Sequence, residues 1–348
     1  MMNSKKSLLA AGTATLLSTF IAGCGSTATA AASHANAATY FKGKTITLIA
    51  PDKPGGGYDT WARLVAPYMA KVLGATIKVV NIPEAGTIAG TNEMADAKPN
   101  GLTLGLVNTG GDIGNLIEGV PGQKFNLKTL TWLGQPQKEP EAIFARIPSS
   151  YHAFSQLLSL SKSRAVTVLD TRSGSADLTN RIVFNGFGIP HKFLLGYGSS
   201  KGLEAGFLRG DGPIATVTYT SWENLVLGGK ARPLMVSSLS QTWSGNPQVP
   251  TLGYELSHVK VSPKAAKALK TLGIMDSLGY DFAGPPGIPA NLVKVLRTAF
   301  HKALTNPKLI AQAKKEHLHV VYTNAPQLQK NVLSAIHDST SLKPYLGV

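Results

Sequence analysis

A short apolar run, a glycine loop and an amphipathic stretch follow one another at residues 45–73, and this order constrains the fold more than any other feature. Thr45-Ile46-Thr47-Leu48-Ile49-Ala50 is apolar and β-branched and reads as a buried strand. Pro54-Gly55-Gly56-Gly57-Tyr58-Asp59 turns the chain. Trp61, Leu64, Val65, Tyr68, Met69 and Val72 then recur at helical spacing and form one apolar face, which Gly74 stops. Ile77–Val80 predicts the next strand, Ile88–Ala97 a helix and Leu102–Val107 a third strand after the Pro99-Asn100-Gly101 turn. Alternation of this kind implies an α/β fold with a parallel sheet and right-handed crossovers.

The pattern returns in the middle of the chain. Ala165–Leu169 reads as a strand, Ser173-Gly174-Ser175 as a second glycine/serine loop and Leu178–Phe187 as a helix, with strands at His191–Leu195 and Ile214–Thr218. The C-terminal part is helical: Leu292, Val295, Leu296, Ala299, Phe300 and Ala303 share a face, and Pro307 and Pro326 open two further helices. Two such units, each with a glycine loop entering a helix, predict two lobes with a cleft between matching anion sites.

The chemistry expected of these loops follows from the backbone. A helix's first turn presents unpaired N–H groups and the positive end of its dipole. Glycines let a ligand approach that backbone closely, which suits a carboxylate or phosphate. Alone, three glycines are equally compatible with a tight turn. A P-loop would continue Gly-Lys-Ser/Thr, but Tyr58-Asp59-Thr60 stands there. A dinucleotide fingerprint would need a glycine at Thr60 and an acid near Asn81. His317 and His319 alternate on an expected strand with no third ligand near in sequence, so they read as a surface pair and no metal site is expected. Asp59, close to a helix start, reads as a dipole-matching cap and not as a general base.

The first residues read as an export signal. Lys5 and Lys6 precede the apolar run Leu8–Ile21, and Ile21-Ala22-Gly23-Cys24 matches a bacterial lipobox, in which Cys24 is the lipidation site. The run is shorter than the ~20 residues a spanning helix needs. Gly25–Ala38 is rich in Ser, Thr, Ala and Gly and reads as a flexible tether. The whole chain carries a net +15, and removing residues 1–23 takes Lys5 and Lys6 with no acid, leaving +13. The basic residues are scattered without a nucleic-acid motif, and an exported lipoprotein has no nucleic-acid partner, so the charge is expected to face anionic lipid. Only 19 Asp and Glu occur. We read that shortage as suited to an acidic exterior, where fewer carboxylates change charge.

These motifs together resemble the Bug-type substrate-binding proteins of tripartite tricarboxylate transporters. Ile46–Ala66 resembles their opening strand, Pro-Gly-Gly-Gly-x-Asp loop and helix. Val79–Gly90 is similar to their second loop, Pro99–Leu104 to their Pro-x-Gly-Tyr-Thr-Leu strand, and Leu208–Ser237 and Ala283–Pro307 complete the series in order. The resemblance implies a periplasmic-binding-protein type II (Venus flytrap) fold, each lobe a mainly parallel sheet flanked by helices. It implies a small carboxylate held by backbone N–H groups of both lobes, with no cofactor and no catalysis. Carried over residue by residue, the ligand-binding positions are Gly55, Gly56, Gly57, Tyr58 and Asp59 in one loop and Ser173, Gly174, Ser175 and Ala176 in the other, with Gly86, Thr87, Tyr197 and Thr218 bordering the cleft. Ile82 and Glu84 stand where the family usually has Arg and Gly, and Arg172 adds a charge before the second loop. The expected organisation is a signal at 1–23, a tether at 24–42, lobe 1 at 43–145 and 234–348, and lobe 2 at 146–233.

The expected function is that of a monomeric extracytoplasmic lipoprotein passing a di- or tricarboxylate to the large and small membrane subunits of such a transporter. The anchor points to the outer face of the cytoplasmic membrane, as in a cell with a single membrane, or to a periplasm-facing position in a cell with two. A receptor feeding a sensor kinase would use the same cleft. An enzyme acting on an organic acid would need an acid/base or nucleophile set that the sequence does not display.

Overall fold

The computed structural model describes residues 37 and 39–347, apart from 139, 172, 173, 198, 199, 241, 244 and 245. The expectations placed on residues 1–36, Cys24 among them, and on Arg172 and Ser173 lie outside these. No helix of the described residues is long and apolar enough to cross a membrane.

Strand β1 (Thr45–Ala50) leads through the glycine loop into α1 (Gly57–Leu73). That helix ends at Gly74, whose left-handed backbone (φ 62°) lets its N–H close on the Ala70 carbonyl. Then come β2 (Thr76–Asn81), α2 (Ile88–Asp96), β3 (Thr103–Val107), α3 (Thr109–Glu118) and β4 (Thr131–Gln135). The chain next builds β5 (Glu141–Arg146), α4 (Phe154–Leu160), β6 (Val166–Leu169), α5 (Gly174–Gly186), β7 (His191–Leu194), α6 (Ser200–Arg209), β8 (Ile214–Thr218), α7 (Glu223–Leu227) and β9 (Ala231–Val236). It closes with α8 (Leu252–His258), α9 (Pro263–Met275), β10 (Asp281–Gly284), α10 (Ala290–Leu304), α11 (Pro307–Lys315), β11 (Thr323–Asn324) and α12 (Ala325–Asp338). The anticipated strand at His317–His319 is absent. His317 instead sits in a left-handed turn (φ 58°) after α11, and the His319 ring stands edge-on to Trp243.

Two sheets form, ordered β11-β4-β10-β3-β1-β2 and β7-β6-β8-β5-β9. The mainly parallel sheets expected from the βαβ pattern hold for the pairs β1–β2, β1–β3, β6–β7 and β6–β8. Elsewhere pairing is antiparallel: the short β11 runs against β4, and one strand in each sheet accounts for the rest. Strand β10 is wedged between β3 and β4 and runs against both, and β5 is wedged likewise between β8 and β9. Each is the strand by which the chain enters from the other sheet. It therefore starts at the end where its neighbours finish.

The sheets are held by distinct layers. One face of the first sheet presents Ile46, Leu48, Leu104, Leu106, Leu133 and Phe282 to the apolar faces of α1, α10 and α11. Its other face, through Ile49, Val107 and Trp132, packs with α3, α9 and α12 and continues into Ile143, Val166 and Val168 of the second sheet. The far side of the second sheet buries Phe144 and Val217 against Phe207 and Trp222. Removing a fully buried residue such as Leu296 from such a layer costs about 2–5 kcal/mol.

Candidate functional site

Where the two sheets face each other, three helices begin at one cavity of about 80 Å³. Tyr58 reaches it from α1, Asn108, Gly110 and Gly111 from the start of α3, and Ser175 and Leu178 from α5. Glu141 at the start of β5, Thr218 at the end of β8 and the segment Met275–Tyr280 complete the wall. Among the described residues lining it there is no Lys, Arg or His. Positive potential here comes from the helix N-termini alone. Two acids also face the cavity: Glu141, which accepts a hydrogen bond from the Ser175 hydroxyl, and Asp276, which accepts one from Thr179 Oγ1 at 2.8 Å.

The glycine loop is clamped from within. Asp59 accepts hydrogen bonds from the Gly55 N–H at 2.8 Å, from Asn81 Nδ2 at 2.8 Å and from Arg63 Nε at 2.9 Å. Burial alone would raise the Asp59 carboxyl, but the bonds from Arg63, Gly55 and Asn81 outweigh it and hold the group below the usual range. Asp59 thus shapes the loop and does not touch the cavity, in keeping with the cap reading. A Cβ on Gly57 would meet the Tyr280 hydroxyl at 2.5 Å, so the third glycine is there to admit that ring. Tyr280 holds a left-handed backbone (φ 56°) and packs on Tyr58 with ring centroids 4.9 Å apart. Left-handed non-glycine residues cost free energy and concentrate at functional sites.

At the cavity wall and behind it lies a set of buried acids. Burial pushes Asp112 up to about 8 despite the nearby Thr87 hydroxyl, and pushes Asp276 up to about 7 despite the nearby Ser237 hydroxyl and the bond from Thr179. Asp281 is raised well above its ordinary value by burial and by the neighbouring Asp112, against Thr109 and the Gly279 backbone. All three carboxyls are therefore largely neutral in mildly acidic water.

Of the positions expected at the site, the structure brings Tyr58, Ser175 and Thr218 to the cavity wall. Gly55, Gly56 and Gly57 form the loop behind Tyr58, and Gly174 is the first residue of α5 with φ 84°. Ala176 lies in the first turn of α5 without lining the cavity. Gly86 and Thr87 lie in a 3-10 turn before α2 and do not line the cavity. Tyr197 is not in the wall. Its hydroxyl donates to Asp211 Oδ2 at 2.9 Å and its ring covers Gly206. The sequence reading missed the third helix start, Asn108-Thr109-Gly110-Gly111, although it repeats the strand–glycine–helix order after β3. It also missed Glu141, Asp276 and Tyr280, for which no local pattern exists.

A family model described as "Tripartite tricarboxylate transporter family receptor" matches residues 61–343. A UPF0065 protein of Bordetella pertussis is 27% identical over 285 residues, covering 80% of this chain and 82% of its own. The match to a UPF0065 protein of Agrobacterium vitis, 29% identical, spans about half of that relative, 48%, and 45% of this chain. The fold is similar to that of a TctC solute-binding protein from Polaromonas, with TM-score 0.72 at 21% identity over 86% of this chain and 98% of that one. It is similar also to two Rhodopseudomonas palustris proteins. One was solved with adipate (TM-score 0.65, 16% identity, 87% and 97% covered) and the other, MatC, with malate (TM-score 0.59, 19% identity, 87% and 98% covered). The fold class is thus the expected one, and the family is one of solute-binding receptors and not of enzymes. With the match running from α1 almost to the C-terminus, this chain belongs to the tripartite tricarboxylate transporter family of receptors.

Proposed function

We propose that the receptor captures a small carboxylate in the cavity between the two sheets and delivers it to the large and small membrane subunits of a tripartite tricarboxylate transporter. The observation that carries this reading is the meeting of three helix N-termini, those of α1, α3 and α5, at one cavity with no cationic side chain among its described lining residues. Backbone N–H groups and dipoles suit a carboxylate, and the modest volume suits a short-chain acid. Adipate and malate, the ligands of two structural neighbours, define the first compounds to try. Titration calorimetry should show either or a related acid binding, with its monoester weaker by at least ~10-fold, since a charge-assisted hydrogen bond is worth about 1.5–3 kcal/mol. Gly57→Ala should weaken binding similarly by displacing Tyr280 from the cavity wall. An ester that binds as tightly as the free acid refutes the carboxylate assignment.

Extracytoplasmic location comes with the family. We add that Cys24 carries the lipid anchor. A Cys24→Ser variant should take up no labelled fatty acid, and continued labelling refutes it. We place lobe 2 at 141–236, not 146–233, because β5 from Glu141 and β9 to Val236 are hydrogen-bonded wholly within the second sheet. Ligand should then draw the lobes together, read as compaction in small-angle scattering.

A further inference from the structure

A second concavity lies apart from the ligand cavity. A groove of about 590 Å³ runs along α10 and is lined by Lys294, Arg297 and His301 with Thr131 and Thr298. No acid lines it. None occurs in the chain between Asp281 and Glu316, while Lys294, Arg297, Lys302, Lys308, Lys314 and Lys315 all fall in that interval. Cations without an intervening acid thus fall on α10 and α11, in the outer layer of the first sheet. Arg297 is held in place there, its Nε donating to the Trp132 carbonyl at 2.9 Å.

The position of this groove is as informative as its charge. It shares Lys294 and Thr298 with a second groove of about 380 Å³, which Ala37, Val72, Leu73 and Val295 also line. The chain thus enters the fold beside the cationic face. Lys42, packed against Gly74, and Lys71, in the last turn of α1, extend the positive charge at the same end. Helix α1 starts at the ligand cavity, so its C-terminal end, against which Ala37 packs, lies away from that cavity. A membrane attachment upstream of Ala37 would therefore join the fold on this face and not on that of the cleft.

We propose that the α10 groove and its surrounding lysines are a docking surface for the phosphodiester headgroups of an anionic bilayer, seating the receptor with its cleft away from the membrane. The surface is independent of what the cleft binds, so the two readings fail separately. It is tested with the full chain carrying Cys24→Ser, so that no acyl chain contributes. Sedimentation with vesicles of phosphatidylcholine alone is compared with vesicles of equal parts phosphatidylcholine and phosphatidylglycerol. An unprocessed N-terminus would carry Lys5 and Lys6 into both double variants alike, so the difference in preference between those variants is the readout. At low salt the anionic vesicles should be preferred by at least ~10-fold, with the preference fading as salt shortens the screening length. Each cation near such a surface is worth roughly five-fold in affinity. Lys294→Glu with Lys302→Glu, both exposed, should therefore abolish the preference. Lys162→Glu with Lys192→Glu, equally exposed but on lobe 2, makes the same change in net charge and should leave the preference within ~2-fold. Equal binding to the two vesicles, or equal loss in the two double variants, overturns the proposal.

Discussion

Helices α1 and α3 start from the same local pattern and end in opposite electrostatic states. Each follows a strand through adjacent glycines and carries an aspartate in its first turn, Asp59 in one and Asp112 in the other. One turn on, α1 has Arg63, which pairs with Asp59 at 2.8 Å, and α3 has Leu116. Asp59 also takes the Gly55 N–H and the Asn81 amide and stays ionised. Asp112 is fully buried, sits beside Asp281, and is pushed up to about 8. Helix α5 lies between the two: Asp177 has Arg181 one turn on, yet burial and the neighbouring Asp170 raise it. The pattern specifies a helix start, and the residue one turn later, with the depth of burial, decides its charge. A neutral Asp112 sets no negative charge against the positive end of the α3 dipole.

The largest test is the pH dependence of stability. Asp112 and Asp276 are protonated in the fold but ionised in the unfolded chain from about pH 4 up to about 8 and about 7, and Asp281 is raised in the same direction. Because their folded values are raised, stability is greatest near pH 4 and falls as pH climbs toward 8. Each group costs about 1.4 kcal/mol per unit over its interval, which sums to several kcal/mol. Below about pH 4 the sign reverses as Asp59, whose folded value is lowered, loses its bonds. Melting curves from pH 3 to pH 8 check this, and Asp112→Asn should flatten the slope between 4 and 8. A melting temperature that rises steadily with pH would erase the contrast between α1 and α3.

Breaking the α1 clamp should cost less. Asp59→Asn leaves the amide shape but removes the charge that three donors serve, a loss of about 1.5–3 kcal/mol in denaturant titrations at neutral pH. Arg63→Leu, which makes α1 resemble α3, should cost about 1 kcal/mol, because the Arg63 side chain is 53% exposed and its pair is screened. The reverse graft, Leu116→Arg, places a cation one turn after Asp112. It should raise stability at pH 8 by about 0.5 kcal/mol and leave pH 4 unchanged. Smallest of all, Tyr197→Phe removes an exposed hydrogen bond to Asp211 and should alter stability by no more than about 0.5 kcal/mol, with ligand affinity unaffected.

Features set by neighbours a few residues away are legible in the amino-acid sequence itself. Strands β1, β2 and β8, the helix from Gly57 and its stop at Gly74 follow from period, β-branching and the glycine's positive φ. The glycine loop and Tyr58 are legible for the same reason. Strands β5 and β10 are not, because nothing near Glu141 or Asp281 says which sheet they enter or in which direction. That is decided by pairing with Thr218 and Val107, far along the chain. The cavity wall and the buried acids are longer-range still. Thr179 serves Asp276 across 97 positions, and Tyr280 finds Tyr58 and Gly57 only once β10 is wedged beside β3. A carboxyl's charge depends on how much water and how many donors the folded chain leaves around it. Sequence alone therefore determined the helix starts that can hold an anion, and the tertiary structure decided which of them meet and which acids beside them are neutral.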